Sequence, residues 1–367
     1  RRLSTRMKSL TNESERELAD AQMLFGSHVY SRAKLFPDLA ITKGEEAYSS
    51  ARTLGDRSLE FAAAGGTAMA YCDIGSVKEA DEWLERAAEI ASAEPTPYRA
   101  RQLLVWRGLV CAAEGEAREM QQLLQRAVQL AMDQGLPAAR CETLALLALE
   151  AARLGVESGD QDLLDVAGRA AEEAKSLAAS LPGHPPWEAQ ADAALARIAS
   201  ARGEKADGLA FGRAALAALD LAQREDSHLE VLIPSAECVI ASGTEDEAAG
   251  LREKLRLTLA FVSAHIADES VRTGWFRTAK GRDLARLAAV EAGKGRLSEG
   301  GQAEGGLGQD DLAFLGSLAL GLSNSEIAER LGTTEEEVNR RLTDIYAKMG
   351  ATSRAYATTA ALMGGLI

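Results

Sequence analysis

Aromatic side chains are scarce in this sequence, at 5% of 367 residues, and there are only eight prolines. With Ala and Leu recurring throughout, that scarcity predicts helix over strand, because both residues lose little side-chain entropy in a helix. The four cysteines, Cys72, Cys111, Cys141 and Cys238, form no C-x-x-C pair, and each lies in an apolar helical stretch. They are expected to be buried, reduced thiols. The four histidines, His28, His184, His228 and His265, are dispersed, and none has a partner four residues on. No metal site is expected from them. No apolar run is long enough to cross a bilayer, and no charged-then-apolar leader opens the chain. A cytoplasmic location without membrane contact is the expectation.

Enzymatic chemistry has no footing either. No nucleophile–base pair, paired-carboxylate constellation or metal motif rises above chance, and no cofactor is expected. Most carboxylates read as solvated helix faces and caps. Trp83, Trp106, Trp187 and Trp275 read as core packing, although a concave repeat surface could use one of them. The net charge of −14 excludes non-specific nucleic-acid binding by the chain as a whole, so any such contact must be local. Beginning at Arg1 without methionine, the sequence reads as a piece of something longer.

What is present is repetition. AYCDIGSVKEADEWLERAAEIA (70–91) and GLVCAAEGEAREMQQLLQRAVQLA (108–131) share a turn glycine followed by an amphipathic helix. GDQDLLDVAGRAAEEA after Gly159 and GEKADGLAFGRAALAA after Gly203 continue the series. Arg-Ala pairs at 86–87, 126–127, 169–170 and 213–214 set the expected register. A unit of this kind cannot bury its own apolar stripe, so neighbours must stack on it. Gly44–Gly55 and a unit after Gly243 are expected to extend the array. Leu255, Leu259, Val262 and Ile266 mark a further helix by their spacing. Leu84 and Leu124 are the expected core leucines. The units resemble tetratricopeptide-like repeats with a period longer than 34 residues.

From 291 to 309 the texture changes to EAGKGRLSEGGQAEGGLGQ, with seven glycines. That density predicts a linker, and hence a repeat domain over 1–290, a Gly-rich linker over 291–306 and a second domain over 307–367. The second domain reads as four short helices. Ser323 with Glu326, and Thr334 with Glu337, are expected capping boxes, each opening a helix, and Gly332 separates those two helices. Val338, Leu342, Ile345 and Met349 form an apolar stripe on the longer helix. A last helix is expected after Ser353. Two helices joined by so short a turn have the geometry that places the second in a major groove.

GLSNSEIAERLGTTEEEVNRRLTDIYAKMGATSRAYA (321–357) also resembles the LuxR-type DNA-binding domain, aligning without a gap. Taken together the two resemblances imply an all-α protein: a TPR-like superhelix followed by a four-helix LuxR-type helix-turn-helix domain. The LuxR-type resemblance implies sequence-specific binding of duplex DNA as a homodimer through the last helix. On the family's pattern Asn339, Arg340 and Thr343 take base-facing positions, while Ser325, Arg341, Lys348 and Arg354 occupy or flank backbone-contacting ones. Asn339 and Ser325 stand where many members carry lysine, and Ala313 replaces a frequent glutamate. Glu335, Glu336 and Glu337 crowd the start of the recognition helix, where Glu336 is expected to pair with Arg340. Residues 307–367 hold eight acids against five bases. The arrangement is similar to MalT-like regulators, in which helical repeats sense an inducer or a partner protein. The ATPase module of that type would have to lie outside these residues, since no G-x-x-x-x-G-K-[ST] occurs. Two readings stay open: a transcriptional regulator, or a protein-interaction scaffold whose helix-turn-helix no longer binds DNA.

Overall fold

The computed structural model describes residues 13–182, 186–222, 228–289, 308–319, 322, 324–349, 354, 357 and 361. Among them are seventeen helices and no strand. The chain divides into two compact units, residues 1–244 and 245–367.

The first unit is a helical-repeat array of the expected class. Its helices are α1 (Glu13–Ala33), α2 (Pro37–Leu54), α3 (Arg57–Asp73), α4 (Val77–Ala93), α5 (Pro97–Glu114) and α6 (Ala117–Asp133). They continue with α7 (Pro137–Ser158), α8 (Gln161–Ala178), α9 (Trp187–Ala201), α10 (Lys205–Ala222) and α11 (His228–Ser242). Successive helices pack on one another, and each odd-numbered helix also packs on the next odd one, so the odd helices form a continuous layer. The turns follow from local chemistry. Pro37, Pro97 and Pro137 each sit in the first helical turn, where the missing N–H costs nothing. The Thr96 hydroxyl accepts from the Arg99 N–H at 3.1 Å, and Asp160 Oδ1 accepts from the Leu163 N–H at the same distance. Gly115 and Gly159 end α5 and α7 at φ of 85° and 72°, where a side chain would be strained.

The register of the array differs in detail from the Arg-Ala pairs. The residue ten beyond the first of α4, α6, α8 and α10 is Ala87, Ala127, Ala171 and Ala215, and all four are fully buried. Their spacings are therefore 40, 44 and 44, whereas Ala214 of the fourth pair is exposed. The longer step has a local cause between the second and third units. There α7 has 22 residues where α5 has 18, one extra turn that moves the next helix four residues along the sequence. Leu84 and Leu124 are buried, as expected, as are Trp83 and Trp275. Trp83 meets Tyr48 edge-on at 5.0 Å.

The second unit begins with α12 (Glu245–His265), α13 (Glu269–Arg277) and α14 (Ala279–Ala289), and α14 packs on both of the others. Leu255, Leu259, Val262 and Ile266 are buried along α12 and just beyond it. Then come α15 (Gln309–Ala319), α16 (Asn324–Leu331) and α17 (Glu335–Met349) around a common core that includes Leu315, Ile327, Val338, Leu342 and Ile345. Arg354, Ala357 and Ala361 are helical, and the two alanines are buried in that core. The linker expected over 291–306, Ser323 of the first capping box and the rest of the last helix lie outside the described residues. Among the described residues no helix is long and apolar enough to cross a membrane, and no His, Cys, Asp or Glu group is placed to hold a metal ion.

Candidate nucleic-acid interface

The second capping threonine sets up the long helix of the C-terminal core. Gly332, at φ 65°, closes α16, and the Thr333 N–H returns to the Ala328 carbonyl at 2.9 Å. The chain re-enters helix at once, with the Thr334 hydroxyl accepting from the Glu337 N–H at 3.3 Å. Because Val338, Leu342 and Ile345 must face the core, helical periodicity turns Glu336, Asn339, Arg340 and Thr343 outward, and all four are exposed.

The return half of that capping box is replaced by an ion pair. The Glu337 carboxylate is engaged by Arg340, whose Nε and Nη2 donate at 2.6–2.9 Å. That hydrogen bond, with the Arg340 charge behind it, holds the Glu337 carboxyl below its ordinary range. Arg340 therefore pairs with Glu337 at i−3, where the sequence pointed to Glu336 at i−4. The i−3 partner gives the guanidinium both carboxylate oxygens.

The other positively charged candidates turn toward acidic groups as well. Lys348 donates to Asp311 Oδ2 at 2.6 Å, and Arg341 lies 3.7 Å from Asp311 and 3.6 Å from Glu337. Asp311 is itself buried at the start of α15, where its carboxylate also accepts from the Gly308 N–H at 3.0 Å. Burial alone would raise its carboxyl. The Lys348 and Gly308 hydrogen bonds and the two cations outweigh that and hold it low. Arg354 is more enclosed, its side chain 14% exposed. It donates through Nη1 to Asn324 Oδ1 at 2.8 Å and through Nη2 to the Leu322 carbonyl, and it lies 3.5 Å from Glu269 of α13. A second pair, Arg277 with Glu326, also joins α13 to α16.

The candidates thus fall into three places. Asn339, Arg340 and Thr343 share the outer face of α17, where the Thr343 hydroxyl donates back to the Asn339 carbonyl at 2.9 Å. Arg341 and Lys348 run along the seam between α17 and α15. Arg354 and the exposed Ser325 lie toward the start of α16. Sequence reasoning missed Asn324, Asp311 and Glu269. Asn324 stood inside the quoted GLSN turn, but nothing in one sequence reveals a partner 15 or 30 residues away. Glu269 carried no signal.

The sequence comparisons bear on these C-terminal residues. Residues 309–361 match the family described as bacterial regulatory proteins, luxR family. A relative, the transcriptional regulatory protein YdfI of Bacillus subtilis (strain 168), is 41% identical over 61 residues. The match covers 17% of this chain and 29% of YdfI, so the chain spans less than a third of that relative. A crystal structure of NprR in complex with its cognate peptide NprX aligns over 95% of this chain and all of that one, at 14% identity. Its TM-score of 0.28 is too low for the likeness to bear on this protein. Residues 309–361 form a LuxR-type helix-turn-helix domain, and it is carried by a chain whose first unit is an all-helical repeat array.

Proposed function

We propose that this protein is a transcriptional regulator that binds duplex DNA through the outer face of α17. The observation that carries the reading is the set Asn339, Arg340 and Thr343, exposed together on a helix that follows α16 after a three-residue turn. Amide, guanidinium and hydroxyl groups are those that address base edges and phosphates in a major groove. Ser325, Arg341, Lys348 and Arg354 would supply phosphate contacts around it. The last helix would pair two copies, and the repeats would bind an inducer or partner protein. The division at 291–306 belongs to the same reading, and proteolysis confined to that stretch would support it. The direct test is recovery of genomic duplex fragments on the full-length chain, followed by sequencing. Enrichment of a common sequence is expected. No enrichment at 50 mM salt would overturn the reading.

A second reading is favoured by one observation. Arg340, Arg341, Lys348 and Arg354 each lie within 4 Å of a carboxylate. A scaffold that no longer binds DNA would show such neutralised cations, and it would pass through a DNA resin unretained.

A further inference from the structure

The chain of hydrogen bonds Arg354–Asn324–Asn339 has a direction, and that direction decides what Asn339 offers to a base. Arg354 Nη1 lies 2.8 Å from the Asn324 side chain, and Asn324 lies 2.6 Å from the Asn339 side chain. Guanidinium carries only donors, so the atom it meets on Asn324 must be the amide oxygen. Arg354 is held in place by its second bond, to the Leu322 carbonyl. With its oxygen committed to Arg354, Asn324 turns its nitrogen toward α17, and a nitrogen must find an acceptor. That acceptor is Asn339 Oδ1. Rotating the Asn339 amide by 180° would set one NH2 group against another and lose this hydrogen bond, so the relay favours one of its two orientations.

We infer that Asn324 is a specificity-determining positioning residue, which pins Asn339 on the outer face of α17 with its Nδ2 donor presented to the base edge. The inference rests on the DNA-binding reading above. An unpinned asparagine can donate or accept, and the bidentate contact to adenine uses both. The pinned amide instead selects a base that places an acceptor opposite it, namely a purine N7, guanine O6 or thymine O4. It selects against cytosine, whose major-groove edge offers only the N4 donor.

Polarity makes this testable by reversal. In Asn324→Asp the carboxylate keeps the Arg354 bond but can only accept, so it must draw Asn339 Nδ2 inward and turn Oδ1 outward. The full-length chain and its Asn339→Ala, Asn324→Asp and Asn324→Ala variants would each select from a pool of randomised duplexes. Asn339→Ala should erase the preference at one base pair and so identify the position read. At that position Asn324→Asp should raise the share of cytosine, the base the pinned donor selects against, by roughly two- to tenfold. Asn324→Ala should flatten the preference. An unchanged preference in Asn324→Asp would overturn the relay and leave the regulator reading standing. Selection of no sequence by the unaltered chain would overturn both. A second measurement needs no DNA, since the chain has only three asparagines, Asn12, Asn324 and Asn339. In asparagine-labelled protein the Asn324 side-chain amide should exchange slowly and that of Asn339 fast. The reverse order would refute the stated polarity.

Discussion

Leu124 rests in the notch that Gly108 leaves on the facing helix: a methyl group at Gly108 would lie 2.9 Å from both Cγ and Cδ2 of the leucine. Leu124 is fully buried, so it cannot swing aside. Gly108→Ala should overpack the site at a cost of about 1–3 kcal/mol, of which the better helix propensity of alanine returns up to about 1. Leu124→Ala should cost about 2–5 kcal/mol. The double variant should lose less than the two losses added, because the methyl then fills the space the leucine vacates. Urea unfolding of the four proteins measures this, and strict additivity would mean the two residues do not share one notch.

The bidentate Glu337–Arg340 pair restrains the face that would meet DNA. Docking must open it or carry a carboxylate toward the phosphates. Arg340→Ala should weaken binding to a selected site at least about fivefold. Glu337→Gln should strengthen binding to any duplex, since it releases the guanidinium and removes a repelled charge. Glu336→Lys should steepen the salt dependence by adding a phosphate contact. Gel-shift titrations at several salt concentrations read all three. A Glu337→Gln protein that binds more weakly than the parent would show that the pair orders Arg340 for docking and does not restrain it.

Acid should weaken the two units in different pH windows. In the first, burial holds the His28 imidazole below its ordinary value, although its hydrogen bond to the Ala40 carbonyl at 2.7 Å opposes this. The unfolded chain then takes up the proton more readily, so stability is full above the ordinary histidine range and falls as pH drops below it. In the second unit the Asp311 carboxyl is held low, so its contribution persists above the ordinary carboxylate range and disappears only as pH falls through its depressed value. Asp311→Asn should cost about 1–3 kcal/mol near neutrality by weakening the Lys348 bond. It should also remove the lower acid step while sparing the upper one. Circular dichroism followed from pH 8 to pH 2 would resolve the steps.

The two buried thiols, Cys141 and Cys238, should be inert while the chain is folded, whereas Cys72 and Cys111, expected to be buried, are only partly so. Burial pushes Cys141 up to about 11, and it also raises Cys111 to about 11 and Cys238 above its ordinary value. Cys141 and Cys238 are buried, and their Sγ atoms donate to the Ala174 and Ala196 carbonyls at 3.2 Å. Alkylation at pH 7.5 should leave these two unmodified until denaturant is added, with Cys111 reacting slowly. Mass spectrometry of the alkylated peptides gives the order, and rapid labelling of Cys141 in the folded chain would contradict the packing.

Much of this protein was legible in one sequence because the signals involved are local. Prolines at helix starts, glycines in left-handed turns and apolar residues at spacings of three and four act within a few residues of themselves. They sufficed for the helical repeat, the buried Leu84 and Leu124 and the paired helices around Gly332. The register of the third unit was not legible in this way. It depended on one additional turn in α7, which a pattern of Arg-Ala pairs could absorb without any visible break.

The outer face of α17 follows from periodicity alone, since Val338, Leu342 and Ile345 leave only one side for Asn339, Arg340 and Thr343. Which carboxylate each cation chooses does not follow from it. Glu336 and Glu337 are both within reach of Arg340 along the helix, and Glu337 takes it by setting both its oxygens on the guanidinium. The same holds for Lys348 and Asp311, 37 residues apart, and for Arg354 and Asn324, 30 residues apart. Sequence set the helices and the side each one buries, because those are properties of a short stretch of backbone in water. Tertiary structure set the polarity of the amide relay, because a hydrogen bond's direction depends on partners that only folding brings within 3 Å.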